Sequence, residues 1–195
     1  MRILVVGATG TMGSAVVTCL RRQHEVIEAS RRGDVAVDLT DRASIVAMYE
    51  ELPRLDAVVS AAGDARFGML NELSEEDFAF GLHSKLIGQV SLVTVGTRYV
   101  QDNGSFTLTS GILAQRPGPG TSMVAMVNAG VEGFARAAAL ELRRGQRINV
   151  VSPPLVRETA EEMGWGAGGM PAAEAALWYV DSVEGGGTGG VLPRW

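Results

Sequence analysis

The sequence predicts a three-layer α/β/α protein in which a mainly parallel, seven-stranded sheet is doubly wound, with helices on both faces. Three observations predict it. Short apolar runs alternate with longer helical patterns along the 195 residues. The main runs, such as RILVV (2–6) with ILVV unbroken, are apolar at consecutive positions, as in strands covered on both faces; RINVV (147–151) is a further strand of this kind with one Asn. No repeat, charge block or proline-rich linker divides the chain, which points to one domain over 1–195. Right-handed crossovers then give the doubly wound order.

The elements follow in turn. Strand 2–6 leads into glycines and a helix over 11–22. EVIEA (25–29) is the second strand and VAV (35–37) a short extended piece. A helix starts at Asp41 or Ala43 and stops at Leu52, before Pro53. DAVVSAAG (56–63) is the next strand. Ser74-Glu75-Glu76-Asp77 is a helix start, a capping hydroxyl followed by acids that suit the helix dipole. That helix runs to Val100 with a break near Gly81 or Gly88. SFTLT (105–109) is a strand, and 121–144 a long helix. The strand 147–151 ends at Pro153-Pro154. A glycine-rich segment, 155–170, precedes a helix at 171–183 and a last strand at 190–192.

Composition narrows the function classes. The chain is 46% hydrophobic, enough for a continuous core, and its net charge is −5 with both signs interspersed. A nucleic-acid or anionic-membrane surface would require a basic face, so neither partner is expected. Cys19 is the single cysteine, and His24 and His83 lie far apart, which argues against a metal centre. The start MRILVVGATG lacks the longer apolar segment of a signal peptide, and no 18-residue apolar run is evident. The cytoplasm is the expected location.

In parallel sheets the residues just after each strand build the site. After the first strand comes Gly7-Ala-Thr9-Gly10-Thr11-Met12-Gly13. One glycine permits a tight turn, one lets backbone approach a diphosphate, and one lets the helix sit close to the sheet. Free N–H groups around Thr11 and Met12 then hold the anion. The second strand ends Glu28-Ala-Ser30-Arg31-Arg32. An acid there would grip a ribose, as in NAD sites; a base would grip a 2′-phosphate, as in NADP sites. Ser30, Arg31 and Arg32 favour NADP(H) over NAD(H), since arginine suits bidentate phosphate contact. Glu28 is the competing signal, placed one step early in the strand.

At these residues the chain resembles the short-chain dehydrogenase/reductase family over nearly its full length, and the resemblance implies a Rossmann-type fold. Gly7, Gly10 and Gly13 match the family's glycine motif. Asp38-Leu39 matches the pair that packs on adenine. Ser60-Ala61-Ala62-Gly63 stands where the family has Asn-Asn-Ala-Gly beside the adenosine ribose. Ser110 matches the serine that hydrogen-bonds the substrate oxygen. Pro153 matches the proline beside the nicotinamide. The segment 155–170 matches the substrate lid, and its modest length implies a small pocket.

The departures lie in the proton path. The family's Tyr-x-x-x-Lys aligns with Val124 and Asn128. Valine transfers no proton, while Asn128 keeps a hydrogen bond for a ribose hydroxyl. The active-site asparagine aligns with Lys85, three before Gly88. Lys85 is read either as a general acid beside Ser110 or as a structural contact replacing the helix lysine. His83, two residues earlier, faces away from it, and Tyr99 and Tyr179 lie far from the site in sequence. Thr121 and Ser122 stand at the mouth of the cleft, with N-capping an equal role for Ser122. The expected function is an NADP(H)-dependent oxidoreductase for a small carbonyl or alcohol. The alternative is an NADP(H)-binding sensor or scaffold without turnover. The family's pairing of two long helices implies a homodimer or homotetramer.

Overall fold

The computed structural model describes residues 1–193. Seven strands form one sheet: β1 (Arg2–Val6), β2 (Glu25–Ser30), β3 (Val35–Ala36), β4 (Leu55–Ser60), β5 (Val100–Thr109), β6 (Arg147–Val151) and β7 (Val191–Leu192). Their order is β3-β2-β1-β4-β5-β6-β7, and every pairing is parallel. The chain winds outward one way from β1, then crosses to β4 and winds the other way. The crevice above the β1/β4 boundary is the ligand position of such sheets.

Successive side chains of a strand point to opposite faces, so apolar runs feed two cores at once. Leu4 and Val6 enter the core shared with α2 (Arg42–Glu51), α4 (Gly88–Gly96) and α5 (Ser122–Glu141). Ile3 and Val5 enter the core shared with α1 (Thr11–Leu20) and α7 (Ala172–Glu184). This double burial is why β1 is apolar at consecutive positions.

Capping sets the helix starts. Asp41 precedes α2 and accepts from Ala43 N at 2.8 Å, which resolves the start between Asp41 and Ala43. Ser74 and Asp77 form a reciprocal capping box on α3 (Glu75–Gly81). Thr121, not Ser122, holds the N-cap position of α5, and its hydroxyl bonds Gly118.

Three elements differ from expectation. The helix from Glu75 does break between Gly81 and Gly88, as π-helical turns over Leu82–Ile87 that join α3 to α4. By length and composition the resulting Glu75–Gly96 helix could cross a bilayer, contrary to the expected absence of such a run. Here it is a core helix, with Leu92, Val93 and Val95 against the sheet. β5 begins five residues earlier than expected. Its Gln101-Asp102-Asn103-Gly104 stretch has turn composition but forms a bulge: Val100 pairs Leu55, and Ser105 pairs Ala57. Within 155–170 a six-residue helix, α6 (Arg157–Glu162), forms where the glycines suggested only loop.

Candidate functional site

The site runs along the carboxyl ends of β1, β2, β4, β5 and β6 in two connected parts. In the first, Gly7 takes φ +82°, and a Cβ there would meet Ala62 Cβ at 2.7 Å. A Cβ on Gly13 would lie 2.0 Å from Gly7 O, so α1 touches the turn backbone. A Cβ on Gly10 would meet only Gly7 O, at 3.5 Å, and otherwise face open space. Two glycines therefore pack, and the third keeps the cradle clear. No side chain caps α1 from Gly10, and the first turn carries no acid. Its N–H groups suit an anion from outside the helix.

Beside the cradle is a cavity of ≈ 390 Å³ lined by Gly7, Thr9, Gly10, Ser30, Arg31, Asp38, Leu39, Ala61, Ala62 and Gly63. Arg31 lies on this lining; Arg32 does not, and is exposed on the turn. Gly13 is likewise absent from the lining because it is spent on helix packing. Glu28 does not line the cavity and pairs with Arg21 instead. Asp38 accepts through Oδ1 from Thr40 N and Thr40 Oγ1, and these bonds hold its carboxyl below the usual range. Arg31 on the same lining lowers it further.

The second part is an open cleft of ≈ 980 Å³, larger than the small pocket expected. Thr11, Met12, Lys85, Ser110, Val124, Asn128 and Pro153 all line it. Ser110 follows β5, and its N donates to Val151 O, so β5 and β6 position it jointly. The π-helical turns bring Lys85 to the same cleft, a common use of such turns. Gln89, fully buried, ties that turn to β5: its amide bonds Lys85 O, Thr109 O and Thr109 N. Gly63 sits so close that a Cβ would lie 2.8 Å from Lys85 Cα. Burial brings the Lys85 ammonium down to about 8, with Asp64 pulling the other way.

Asn128 is 2% exposed, and its Oδ1 is buried without a partner. A buried amide oxygen left unpaired at a cleft wall calls for a donor from a ligand. These features suit a dinucleotide: a glycine turn left open, a cavity beside it, and an unpaired buried acceptor in the cleft.

The segment 155–170 lends Leu155, Val156, Thr159, Met163 and Trp165 to the cleft wall and is pinned at its base. Arg157 N donates to Met170 O at 2.8 Å and Met170 N to Leu155 O at 2.9 Å. Glu162 accepts from Thr11 Oγ1 at 2.8 Å, and Trp165 meets Phe67 edge-on at 4.9 Å.

Several features escaped the sequence reading. Glu132 is 3% exposed and accepts from Ser110 Oγ, Gln115 Nε2 and Arg136. Its signal was present, since it is the one acid between 121 and 140. Tyr179, set aside as remote, is one hydrogen bond from the cleft: its hydroxyl is 2.8 Å from Oγ1 of cleft-lining Thr109. Burial pushes Tyr179 up, so it keeps its proton and braces β5. Tyr99 stacks on Tyr49, away from the site. His83 is exposed and bonds Ala79 O.

Comparison with known proteins agrees with this geometry. Residues 5–177 match the family model described as Enoyl-(Acyl carrier protein) reductase. A hydroxynaphthalene reductase of Aspergillus fumigatus is 33% identical over 142 residues, 68% of this chain and 51% of that protein. A 3-oxoacyl-acyl-carrier-protein reductase of Homo sapiens is 31% identical over 126 residues, 63% of this chain and 53% of that protein. The chain thus spans about half the length of these curated relatives. The crystal structure of the Listeria innocua protein lin1944 superposes with a TM-score of 0.93 at 44% identity, covering 98% of both chains. A small-chain dehydrogenase in complex with NADPH superposes with a TM-score of 0.88 at 25% identity, covering 98% of this chain and 94% of that one. With the family model matched across most of the chain, and a glycine cradle, parallel sheet and β5 serine in place, this chain belongs to the short-chain dehydrogenase/reductase family.

Proposed function

We propose that the protein is an NADP(H)-dependent oxidoreductase that interconverts an apolar carbonyl compound and its alcohol. The observation that carries this reading is the meeting of Lys85, Ser110 and Asn128 in one cleft continuous with the glycine cradle. When bound, the nicotinamide supplies or takes the hydride. The chain's own residues do the rest. Gly7, Gly10, Thr11 and Met12 hold the diphosphate, and Ser30 and Arg31 hold a 2′-phosphate. Asp38 and Leu39 contact the adenine, and Asn128 takes a ribose hydroxyl. Lys85, with its ammonium near 8, gives a proton to the carbonyl oxygen and regains one from water. Phe67, Ile112, Leu113, Val124 and Trp165 on the cleft wall select an apolar substrate body. One domain carries both parts, and 155–170 acts as its lid.

The NADPH complex of the small-chain dehydrogenase supports the choice of coenzyme, as do Arg31 on the cavity wall and Glu28 turned away to Arg21. We further propose pairing of copies through α4 and α5, the latter exposing Met126 and Leu140 on its outer face; light scattering tests it. The decisive experiment follows nicotinamide absorbance against a panel of apolar ketones and aldehydes. Oxidation of NADPH supports the enzyme. Tight binding without consumption supports the second reading, a sensor or scaffold, which Val124 at the cleft favours because it transfers no proton.

A further inference from the structure

Ser110 has one hydroxyl proton, and the fold has committed it. Its Oγ lies 2.9 Å from Glu132 Oε1 and 3.3 Å from Asn128 O, both acceptors on α5. Glu132 is 3% exposed. Its Oε1 also accepts from Gln115 Nε2 at 2.6 Å, and its Oε2 from Arg136 at 3.2 Å. Three donors thus converge on this one buried side chain. A protonated carboxyl would need an acceptor for its own proton, so these surroundings suit the carboxylate. A hydroxyl whose proton is held by a carboxylate offers only lone pairs to its other neighbours.

We propose that Glu132 is a positioning residue that turns Ser110 into a hydrogen-bond acceptor toward the cleft. This inverts the role that the family resemblance assigns to Ser110, which is to donate to a substrate carbonyl. It rests on the reading that the cleft interconverts a carbonyl and an alcohol. On reduction the carbonyl carbon gains the hydride, and the oxygen gains the Lys85 proton. Ser110 then accepts from the hydroxyl so formed, and the Ser110 proton stays on its own oxygen, held by the Glu132 carboxylate. On oxidation Ser110 accepts a hydrogen bond from the alcohol O–H and holds the carbinol in place; the hydroxyl proton then passes to neutral Lys85 as the carbon gives up its hydride to the nicotinamide. Arg136 on α5 pairs with Glu132, and the charged groups that line the same cleft as Ser110 are Lys85, Asp64 and Glu72.

The test needs neither cofactor nor substrate. Cys19→Ala with Ser110→Cys places the single thiol of the chain at the site, and its ultraviolet absorbance reports thiolate. With Glu132 present the thiol should titrate about one pH unit or more above the same thiol in a Glu132→Gln background, because a neighbouring carboxylate opposes a thiolate. Equal titration in the two backgrounds overturns the proposal. In the otherwise native chain, Glu132→Gln should lower kcat at least about tenfold while NADPH affinity and melting temperature hold. Glu132→Asp should recover part of the loss. A kcat unchanged by Glu132→Gln, or a loss matched by unfolding, also overturns it. If the native chain reduces no carbonyl compound, the functional reading fails, and the thiol titration still decides this one.

Discussion

The two parts of the site are built from different materials. The diphosphate cradle between β1 and α1 is made of backbone: Gly7, Gly10 and Gly13 act by lacking side chains. The cleft above β5 is made of side chains that act by touching one another: Ser110 on Glu132, Gln115 on Glu132, Gln89 on Thr109. The first part is pre-organised by sterics and has few ways to vary. The second is held by hydrogen bonds between side chains of different elements, with Val124, Asn128 and Lys85 on its wall.

The largest expected effect falls on the backbone half. Gly13→Ala places a Cβ 2.0 Å from Gly7 O and should cost about 3 kcal/mol or more, read as a lower thermal midpoint with loss of NADPH binding. Gly10→Ala separates folding from binding. Its Cβ meets little protein, so the melting temperature should hold while calorimetry shows NADPH binding weakened at least about a hundredfold by a methyl in the cradle. If Gly10→Ala binds normally, the diphosphate does not lie there.

The next effect falls on the side-chain half. Lys85→Met should lower kcat for carbonyl reduction at least about a hundredfold while NADPH affinity stays within about a factor of two. Native turnover should fall as pH rises through about 8, because the donor must hold its proton. The stability sign follows from the same shift. The folded pKa, about 8, lies below the unfolded value of about 10.4, so the unfolded chain binds the proton more tightly. The Lys85 charge therefore opposes folding below about pH 8, and this opposition fades as pH rises toward the unfolded value. Lys85→Met should accordingly raise the melting temperature at neutral pH. A lower melting temperature, with kcat unchanged, would make Lys85 a structural contact.

Smaller effects sharpen the coenzyme and lid assignments. Arg31→Ala should weaken NADPH about tenfold and leave NADH unchanged, whereas Arg32→Ala and Glu28→Gln should change neither. Equal losses from Arg31→Ala and Arg32→Ala would mean that both arginines reach the phosphate. Trp165→Ala should raise KM for apolar substrates only about threefold, since it removes one edge contact with Phe67 and leaves the cradle alone.

The backbone half was legible in the sequence because its signal is local. Glycine spacing between a strand and a helix specifies one turn, and Ser74 with Asp77 specifies one helix start. The side-chain half was legible only in part. Ser110, Lys85, Asn128 and Pro153 do share one cleft. Glu132 went unread because its partner Ser110 is 22 residues away and belongs to another element. Tyr179 was set aside because sequence distance stood in for spatial distance, yet α7 packs under the carboxyl end of β5. The stretch 101–104 misled because a polar turn composition suits a bulge as well as a loop. Arg31 and Arg32 read alike in sequence, and only the direction of each side chain at the turn separates them.

The sequence by itself determined the parallel sheet, its two-sided burial and the glycine cradle. Each depends on periodicity or on a residue lacking a side chain, and both are written along the chain. Tertiary structure alone decided where Lys85 points, which atom holds the Ser110 proton, and what folds over the cleft. Those outcomes depend on side chains from distant elements meeting at hydrogen-bond distance, and residue spacing does not encode that distance until the sheet has brought its strand ends together.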